Sequence, residues 1–172
     1  MTDHLLEEIR GGVAILTMNR PDRRNAMSTE MLLSMLEKLG RLSADESIGC
    51  VVLTGAGGAF CAGGDVKAMA AGEEFEAESL EAKTQQLRAV METSRLLHEM
   101  PKPTIAMVGG AAAGAGLSLA LSCDMRIAAA SAKFTTAFAK VGYSGDFGGS
   151  YYLTHLVGTA KARELYYTAA LV

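Results

Sequence analysis

The sequence contains no tryptophan, and it has only three prolines and three cysteines in 172 residues. The cysteines, Cys50, Cys61 and Cys123, lie far apart and form no Cys-x-x-Cys pair. An odd number of widely spaced cysteines supports neither a disulfide framework nor a zinc site. We therefore expect reduced thiols in a cytoplasmic compartment and no bound metal.

Long apolar runs and clusters of positive charge are also missing. No run reaches the ~18 apolar residues that a membrane-spanning helix requires. The acidic N-terminal stretch MTDHLLEEIR does not resemble a signal peptide. A net charge of −3 argues against nucleic acid as the main partner, because phosphate binding needs clustered Lys and Arg. We expect a soluble protein with no nucleic-acid or membrane partner.

What is present is an apolar chain that can form a packed core. Hydrophobic residues make up 49% of the sequence and charged residues 20%, which is typical of a globular domain rather than a disordered chain. At this length the chain is sufficient for one domain, which we assign to residues 1–172.

Apolar runs bounded by glycine or proline predict the strands, and apolar stripes at helical spacing predict the helices. The strands are predicted at residues 5–9, 13–18, 50–54, 104–108 and 125–129. Helices are predicted after the N-cap Ser28, over 65–69, over 85–100, from the loop 109–116 through Ser122, and from about Ser150. Buried strands that alternate with helices predict an α/β fold.

Two of these predictions concern exposure rather than secondary structure. The unbroken apolar runs at 50–54 and 104–108 favour strands that are buried on both faces of a sheet. Residues 73–83 are acidic, and we expect them to lie at the surface.

Two segments share one design, in which a buried strand leads through a Gly-rich loop into a helix. They are CVVLTGAGGAFCAGGDVKAM and TIAMVGGAAAGAGLSLAL. Each design places free backbone N–H groups and the positive end of a helix dipole at the carboxyl end of a strand. Two such N–H groups that point at one position would form an oxyanion hole. For either loop alone, an ordinary turn of small residues between packed elements is the favoured interpretation.

Four segments together resemble the crotonase (enoyl-CoA hydratase/isomerase) family. FCAGGDVKAM resembles its first signature, and GGAAAGAGLSLALSCDMRIA resembles the second. NRPDRRNAMS resembles the N-terminal loop of the family, and FAKVGYSGDFGGSYYLTHLVGTAKARELYYT resembles its fourth block. The segments follow the order of the family and span nearly the whole chain, which is far more specific than one Gly-rich loop.

The resemblance implies an α/β fold with a ββα spiral core and a site that binds an acyl-CoA thioester. The backbone N–H groups of Gly64 and Ala115 take the positions of the family's oxyanion hole. The positions that hold CoA in the family correspond to Arg24, Ala26, Ala62, Asp65 and Val66. A solvated surface cation is the alternative for Arg24. We favour an N-cap role over direct chemistry for Asp65.

The resemblance also bears on which reaction the chain catalyses. The two glutamates of the family's hydratases correspond here to Ser118 and Phe138, which cannot perform that acid–base chemistry. Some family isomerases carry an aspartate at the block position of Asp146, and we assign Asp146 as the catalytic base of an enoyl-CoA isomerase. A dehalogenase of the family pairs such an aspartate with a tryptophan, which this chain lacks. A turn residue or helix N-cap is the alternative for Asp146.

Further expectations follow from the resemblance. CoA enters as part of the substrate, so no separate cofactor is expected, and the family assembles as homotrimers or dimers of trimers. The family continues with C-terminal helices beyond the point that corresponds to Val172, so we expect that helical region to be mostly absent from this chain. A non-catalytic relative or scaffold is therefore a third hypothesis beside the isomerase and the hydratase.

Two other protein classes share short motifs with the chain. Gly110-Ala-Ala-Ala-Gly114-Ala-Gly116 imitates the nucleotide loop of short-chain dehydrogenases, but no tyrosine supplies their Tyr-x-x-x-Lys pair. The segment around Ser118 faintly resembles the nucleophile elbow of serine hydrolases, which would require His98 or His155 as its base. Neither alternative explains the other segments.

Overall fold

The computed structural model describes residues 4–72 and 79–172, and they form two β-sheets surrounded by helices. The strands are β1 (Leu5–Arg10), β2 (Val13–Met18), β3 (Cys50–Gly55), β4 (Ala59–Cys61), β5 (Thr104–Val108), β6 (Ala111–Ala113), β7 (Met125–Ala128) and β8 (Phe134–Thr135). The helices are α1 (Thr29–Ala44), α2 (Val66–Ala71), α3 (Leu80–Glu99), α4 (Ala115–Ser122), α5 (Gly149–Val157) and α6 (Thr159–Thr168). The expected α/β fold is confirmed.

The larger sheet has the strand order β1-β2-β3-β5-β7. Its first two strands form an antiparallel hairpin around Gly11-Gly12, whereas all the other pairs are parallel. Parallel neighbours require crossover connections, and here each crossover carries a helix. The carboxyl ends of β3 and β5 therefore lie side by side and release their Gly-rich loops at the same edge.

The smaller sheet has the order β4-β6-β8 and is built from strands of two or three residues. The chain passes twice from a strand of the larger sheet to one of the smaller sheet and on to a helix, as β3-β4-α2 and β5-β6-α4. β7 and β8 then lead into a 3-10 turn, Phe138–Val141. This is the ββα spiral that the sequence predicted. The smaller sheet itself was not predicted, because Ala-rich strands of this length leave no periodic pattern.

Helix α1 shows how the local sequence determines an element. The hydroxyl of Ser28 accepts a hydrogen bond from the Met31 amide at 3.2 Å and caps the helix, as predicted. Its apolar stripe packs into the core. The stripe consists of Met31, Leu32, Met35, Leu39 and Leu42, all of which are buried.

Two predicted element boundaries are corrected. Helix α3 begins at Leu80 rather than at residue 85, because the hydroxyl of Ser79 caps it at the Ala82 amide. The C-terminal helical stretch consists of two helices separated by Gly158, which has a φ of +79°. Of the predicted acidic surface segment 73–83, residues 73–78 lie outside the described part, and Leu80 and Glu81 are exposed.

The expectation that two strands are buried on both faces is wrong. In β3, Val51 and Leu53 are fully buried whereas Val52 is partly exposed, and in β5 the side chain of Met107 is 45% exposed. Alternate residues of a strand point to opposite faces, and in both strands one set of alternate side chains is packed in the core. The opposite face keeps apolar side chains in contact with solvent.

The remaining structural expectations concern cysteines, membranes and metals. All three cysteines are free thiols. Burial raises the pKa of the Cys61 thiol to about 12, and its sulfur donates to the Asn25 carbonyl at 3.1 Å. Among residues 4–72 and 79–172, no helix is long and apolar enough to span a membrane. Those same residues contain no cluster of His, Cys, Asp or Glu that could hold a metal ion.

Candidate active site

A mostly apolar cavity of about 350 Å3 lies where the two Gly-rich loops meet. Gly64 of the first loop, Ala115 of the second and Asp146 of the fourth block all line it. The other lining residues are Met27, Leu32, Met69, Leu80, Lys83, Thr84, Leu87, Tyr143, Ser144, Gly145 and Phe147. The structure therefore brings together, at one surface, the three residues to which the sequence assigned catalysis.

The two Gly-rich loops are packed tightly against each other beside this cavity. A Cβ atom built on Gly63 would lie 2.9 Å from the Ala113 carbonyl oxygen and 3.5 Å from the Ala115 amide nitrogen. Gly63 also has a φ of +96°, so only glycine fits here without strain. This contact holds the start of α4 beside Gly64.

The amides of Gly64 and Ala115 remain available for a ligand. Met27 donates its amide to the Gly63 carbonyl at 2.8 Å in a parallel bridge that leaves the Gly64 amide facing away from Met27. Ala115 is the first residue of α4, whose amide has no intrahelical acceptor. Within the described residues neither amide donates to a protein group. Two free N–H groups that line one apolar cavity can stabilise a developing oxyanion.

The carboxyl group of Asp146 is the acidic group of this cavity among the described residues. Its Oδ1 atom is sealed from solvent and has no hydrogen-bond partner in that part of the chain. Burial raises the pKa of this carboxyl to about 6. Such a group can accept a proton near neutral pH and release it again, which general base catalysis requires.

Of the two structural alternatives for Asp146, the helix N-cap is wrong, whereas its backbone does begin a turn. Helix α5 begins at Gly149 with Gly148 as its N-cap, and no side chain caps it. Asp146 contributes only its backbone carbonyl, which accepts from the Gly149 amide at 3.0 Å. The carboxylate is therefore free for another role.

The backbone on both sides of Asp146 is unusual. Gly145 has a φ of +114°, and Phe147 has a φ of +48°, a conformation that costs energy for an aromatic residue. The Phe147 side chain is nonetheless buried in the core, which pays for that conformation. Strain of this kind beside a buried carboxylate is characteristic of functional sites.

The two positions that correspond to the hydratase glutamates are both buried. Ser118 is 1% exposed, and its hydroxyl donates weakly to the Gly114 carbonyl at 3.4 Å. Phe138 is 6% exposed, and its ring stacks in parallel with that of Tyr166. Neither side chain is an acid, so within the described residues Asp146 faces the cavity without the second carboxylate that a two-glutamate mechanism needs.

A second, polar cavity of about 560 Å3 adjoins the first at Met27. Cationic side chains from the N-terminal loop and from α2 line it, namely Arg20, Arg23 and Lys67. Asp65 lines it as well, and the Asp65 carboxylate accepts from the Ala68 amide at 3.3 Å. Asp65 thus caps α2, as expected from the sequence. The cations could hold an anionic ligand beside the apolar cavity.

Four of the positions assigned to CoA binding do not line this polar cavity. Arg24 and Ala62 are exposed nearby, where the Ala62 amide donates to the Arg24 carbonyl at 3.0 Å. Ala26 is buried and accepts from the Arg20 guanidinium at 2.6 Å, whereas Val66 is 56% exposed. Sequence reasoning missed Arg20 and Lys67. Arg20 could have been found from the sequence, since it is one of the arginines of the same arginine-rich loop.

The two alternative enzyme classes gain no support from the geometry. Ser118 has no hydrogen bond to a histidine within residues 4–72 and 79–172, and His98 and His155 are both exposed on other helices. Gly110 lies inside the molecule, where a Cβ atom would approach the Gly58 carbonyl oxygen to 1.9 Å. This loop therefore packs against protein at its start instead of opening to a dinucleotide.

Comparison with known proteins was informative. A model of the enoyl-CoA hydratase/isomerase family matches residues 8–172. The 1,2-epoxyphenylacetyl-CoA isomerase of Escherichia coli (strain K12) is 41% identical over 96% of this chain. A 4-chlorobenzoyl coenzyme A dehalogenase-2 of Arthrobacter sp is 37% identical over 94% of it. The crystal structure of an enoyl-CoA hydratase from Polaromonas sp. JS666 superposes with a TM-score of 0.89 at 36% identity, covering 98% of this chain.

The chain spans less than two thirds of each of these proteins. It covers 62% of the isomerase, 58% of the dehalogenase and 64% of the hydratase structure. The three proteins are named for different reactions, and each name includes a CoA thioester.

Proposed function

The chain belongs to the enoyl-CoA hydratase/isomerase (crotonase) family, and on that premise we propose that it is an enoyl-CoA isomerase. It binds an acyl-CoA thioester and moves a carbon–carbon double bond along the acyl chain. Asp146 is its base, and the amides of Gly64 and Ala115 form its oxyanion hole.

The proposed reaction is a proton transfer between two carbons. The thioester oxygen accepts hydrogen bonds from the Gly64 and Ala115 amides, which makes the adjacent carbon acid easier to ionise. The Asp146 carboxylate removes a proton, the C–H bond breaks, and its electron pair is delocalised to the thioester oxygen as a dienolate. The same proton then returns to another carbon, a new C–H bond forms, and the carboxylate is regenerated.

One observation carries this proposal: among the described residues Oδ1 of Asp146 has no hydrogen-bond partner, and Asp146 lines an apolar cavity with Gly64 and Ala115, whose amides donate to no protein group there. Burial raises the pKa of Asp146 to about 6, which makes its carboxylate a stronger base than an exposed aspartate. The apolar lining also limits access of water to the reacting carbons. A single base with these properties is sufficient for a proton shuttle.

Isomerisation is favoured over hydration because, among the described residues, Asp146 is the one carboxylate that lines the cavity. Addition of water requires one group to activate the water and another to deliver a proton. Ser118 and Phe138 occupy the two hydratase positions and supply neither. The isomerase among the relatives supports this choice, whereas the dehalogenase and the hydratase mark the other reactions to be tested.

The CoA moiety is proposed to lie along the N-terminal loop and the polar cavity. Its phosphates would be attracted by Arg20, Arg23 and Lys67, which line that cavity, and by Arg24 at the edge of the loop. Ala26, Ala62, Asp65 and Val66 then provide backbone and packing contacts rather than charge. The acyl group extends from Met27 into the apolar cavity.

An activity screen tests the proposal. The protein is incubated with 2-enoyl- and 3-enoyl-CoA thioesters, and double-bond migration is distinguished from water addition by mass and absorbance. Asp146→Asn should lower turnover by about 10²–10⁴-fold with ligand affinity nearly unchanged. Glu37→Gln, on the exposed face of α1, should leave the rate unchanged. Efficient hydration by the parent protein, or full isomerase activity of Asp146→Asn, would show that the assignment is wrong.

A further inference from the structure

Tyr166 of helix α6 is packed against the segment that carries Asp146. Its ring lies parallel to that of Phe138, with an interplanar angle of 2° and a centroid distance of 6.2 Å. Phe138 is buried and Tyr166 is partly buried, so this pair packs behind the segment that carries Asp146. Neither residue lines the apolar cavity itself.

Tyr166 lies so close to two glycines that a side chain at either position would crowd its phenol group. A Cβ atom on Gly145 would lie 3.2 Å from Cε1 of Tyr166 and 3.6 Å from its hydroxyl oxygen. A Cβ atom on Gly149 would lie 2.8 Å from the same hydroxyl oxygen. Because Gly145 immediately precedes Asp146 and Gly149 follows it by one turn, the hydroxyl end of the phenol ring lies against the backbone on both sides of Asp146.

We propose that Tyr166 is a positioning residue that shields Asp146 from water, so that the proton taken from one carbon of the substrate returns to the substrate without exchanging with solvent. This inference rests on the proposed isomerase function and assigns the shielding to one side chain. It is carried by the contacts of Tyr166 with Gly145 and Gly149 and by the sealed, unpartnered Oδ1 of Asp146.

The phenol itself does not compete for the proton. Burial, and to a lesser extent the charge of Asp146, raise the pKa of Tyr166 to about 12, so the hydroxyl stays protonated near neutral pH. Among the described residues, the other titratable side chains that line the cavity are Lys83 and Tyr143, and both are exposed. Tyr166 therefore acts on Asp146 mainly by excluding water.

Two measurements test the shielding, and the first does not depend on catalysis. In protein with 13C-labelled aspartate, the Asp146 carboxyl is titrated by NMR in the parent, in Tyr166→Ala and in Tyr166→Phe. Tyr166→Ala should lower the pKa of Asp146 by about one unit or more, because water reaches the carboxyl. Tyr166→Phe retains the ring and should keep the pKa close to that of the parent. Tyr167→Ala is the matched control, since Tyr167 is the next residue of α6 and is 77% exposed.

The second measurement follows the proton during turnover. Isomerisation of a 3-enoyl-CoA is run in D2O, and deuterium in the product is measured by mass spectrometry. Tyr166→Ala should incorporate more deuterium per turnover than the parent, Tyr166→Phe and Tyr167→Ala. Unchanged titration of Asp146 in folded Tyr166→Ala would overturn the inference even if the protein is not an isomerase. If the parent isomerises and Tyr166→Ala incorporates no more deuterium than the parent, the inference also fails, whereas the proposed function stands.

Discussion

The guanidinium of Arg20 donates a hydrogen bond to the carboxylate of Asp65 at 2.9 Å, and the two residues are 45 positions apart in the chain. The side chains are only 15% and 10% exposed. Arg20 also donates to the Ala26 carbonyl, and Asp65 also caps α2, so this ion pair fixes the N-terminal loop to the helix that follows Gly64. The pair therefore anchors the segment that carries Gly64, whose amide is one of the two proposed oxyanion-hole donors.

Asp65→Asn should destabilise the fold through this pair. Asn retains capping ability, so the loss arises from leaving the Arg20 charge without its partner, and we expect about 2–3 kcal/mol at neutral pH. The measurement is urea unfolding of the variant and the parent. Glu164→Gln, which removes the exposed ion pair with Lys161, is the control and should change stability little.

The stability contributed by Asp65 should depend on pH in a defined direction. Burial by itself would raise the pKa of Asp65, but the hydrogen bonds and charge of Arg20 and the Ala68 amide outweigh it and lower the pKa. The contribution is therefore present above the unfolded pKa and is lost as pH falls through the lower folded value. The difference between parent and variant should narrow only below about pH 4. A difference that narrows between neutral pH and pH 5 would exclude this explanation.

The isomerase rate should depend on the ionisation of Asp146. A general base must be deprotonated, so kcat/KM should rise with pH through the pKa of about 6 and then reach a plateau. The measurement is kcat/KM for a 3-enoyl-CoA from about pH 4.5 to 8. If kcat/KM instead rises around the ordinary pKa of an aspartate, or does not fall at low pH, another group is the base.

Asp146→Asn should be more stable than the parent at neutral pH. Because burial raises the folded-state pKa of Asp146, the folded protein binds more protons than the unfolded chain between about pH 4 and 6, and stability falls as pH rises through that window. Asp146→Asn removes the ionisable group and therefore this loss of stability. Thermal unfolding should give a higher Tm for the variant at pH 7.5, with no advantage below about pH 4.

The large sheet could be predicted from the sequence, but the small one could not. Val13–Met18 and Thr104–Val108 have the predicted bounds, because each is an apolar run bounded by glycine, proline or a polar loop. Ala111–Ala113 was assigned to a loop, because three alanines between glycines carry no strand pattern. Helix α3 was predicted five residues short at its N-terminus, where no apolar stripe marks the first turn.

In the candidate site, too, some residues could be predicted from the sequence and others could not. Gly64, Ala115 and Asp146 lie in motifs whose order along the chain is specific, and all three line one cavity. Arg20 and Tyr166 were missed because their importance comes from contacts with Asp65 and with Gly145 and Gly149. Those contacts join segments far apart in sequence, and no local pattern encodes them.

CoA binding should weaken when a charge of the N-terminal loop is removed. Arg24→Gln and Arg23→Gln each remove one exposed cation near the polar cavity, and we expect the Kd for CoA to rise by about three- to ten-fold. The dependence of affinity on salt should also become weaker. Calorimetry at two ionic strengths measures both effects, with Arg163→Gln on α6 as a distant control. An unchanged Kd for Arg24→Gln would remove Arg24 from the site.

Gly149 should tolerate no side chain, since a Cβ atom there would lie 2.2 Å from the Ser118 hydroxyl and 2.8 Å from that of Tyr166. Both neighbours are held in packed helices, so Gly149→Ala should destabilise the protein by about 1–3 kcal/mol. Gly40→Ala is the control: it lies within α1 with nothing within 4 Å of its Cβ position, and it should stabilise by about 0.5–1 kcal/mol.

A double variant tests whether the loss of stability in Gly149→Ala comes from the Ser118 hydroxyl or would follow from any substitution at the start of α5. Ser118→Ala removes the nearer of the two hydroxyls, so in combination with Gly149→Ala it should recover part of the lost stability. The recovery should be incomplete, because the Tyr166 hydroxyl remains 2.8 Å away. Chemical unfolding of the parent, both single variants and the double variant gives the coupling energy. Strictly additive losses would mean that the Ser118 hydroxyl is not what excludes a side chain at position 149.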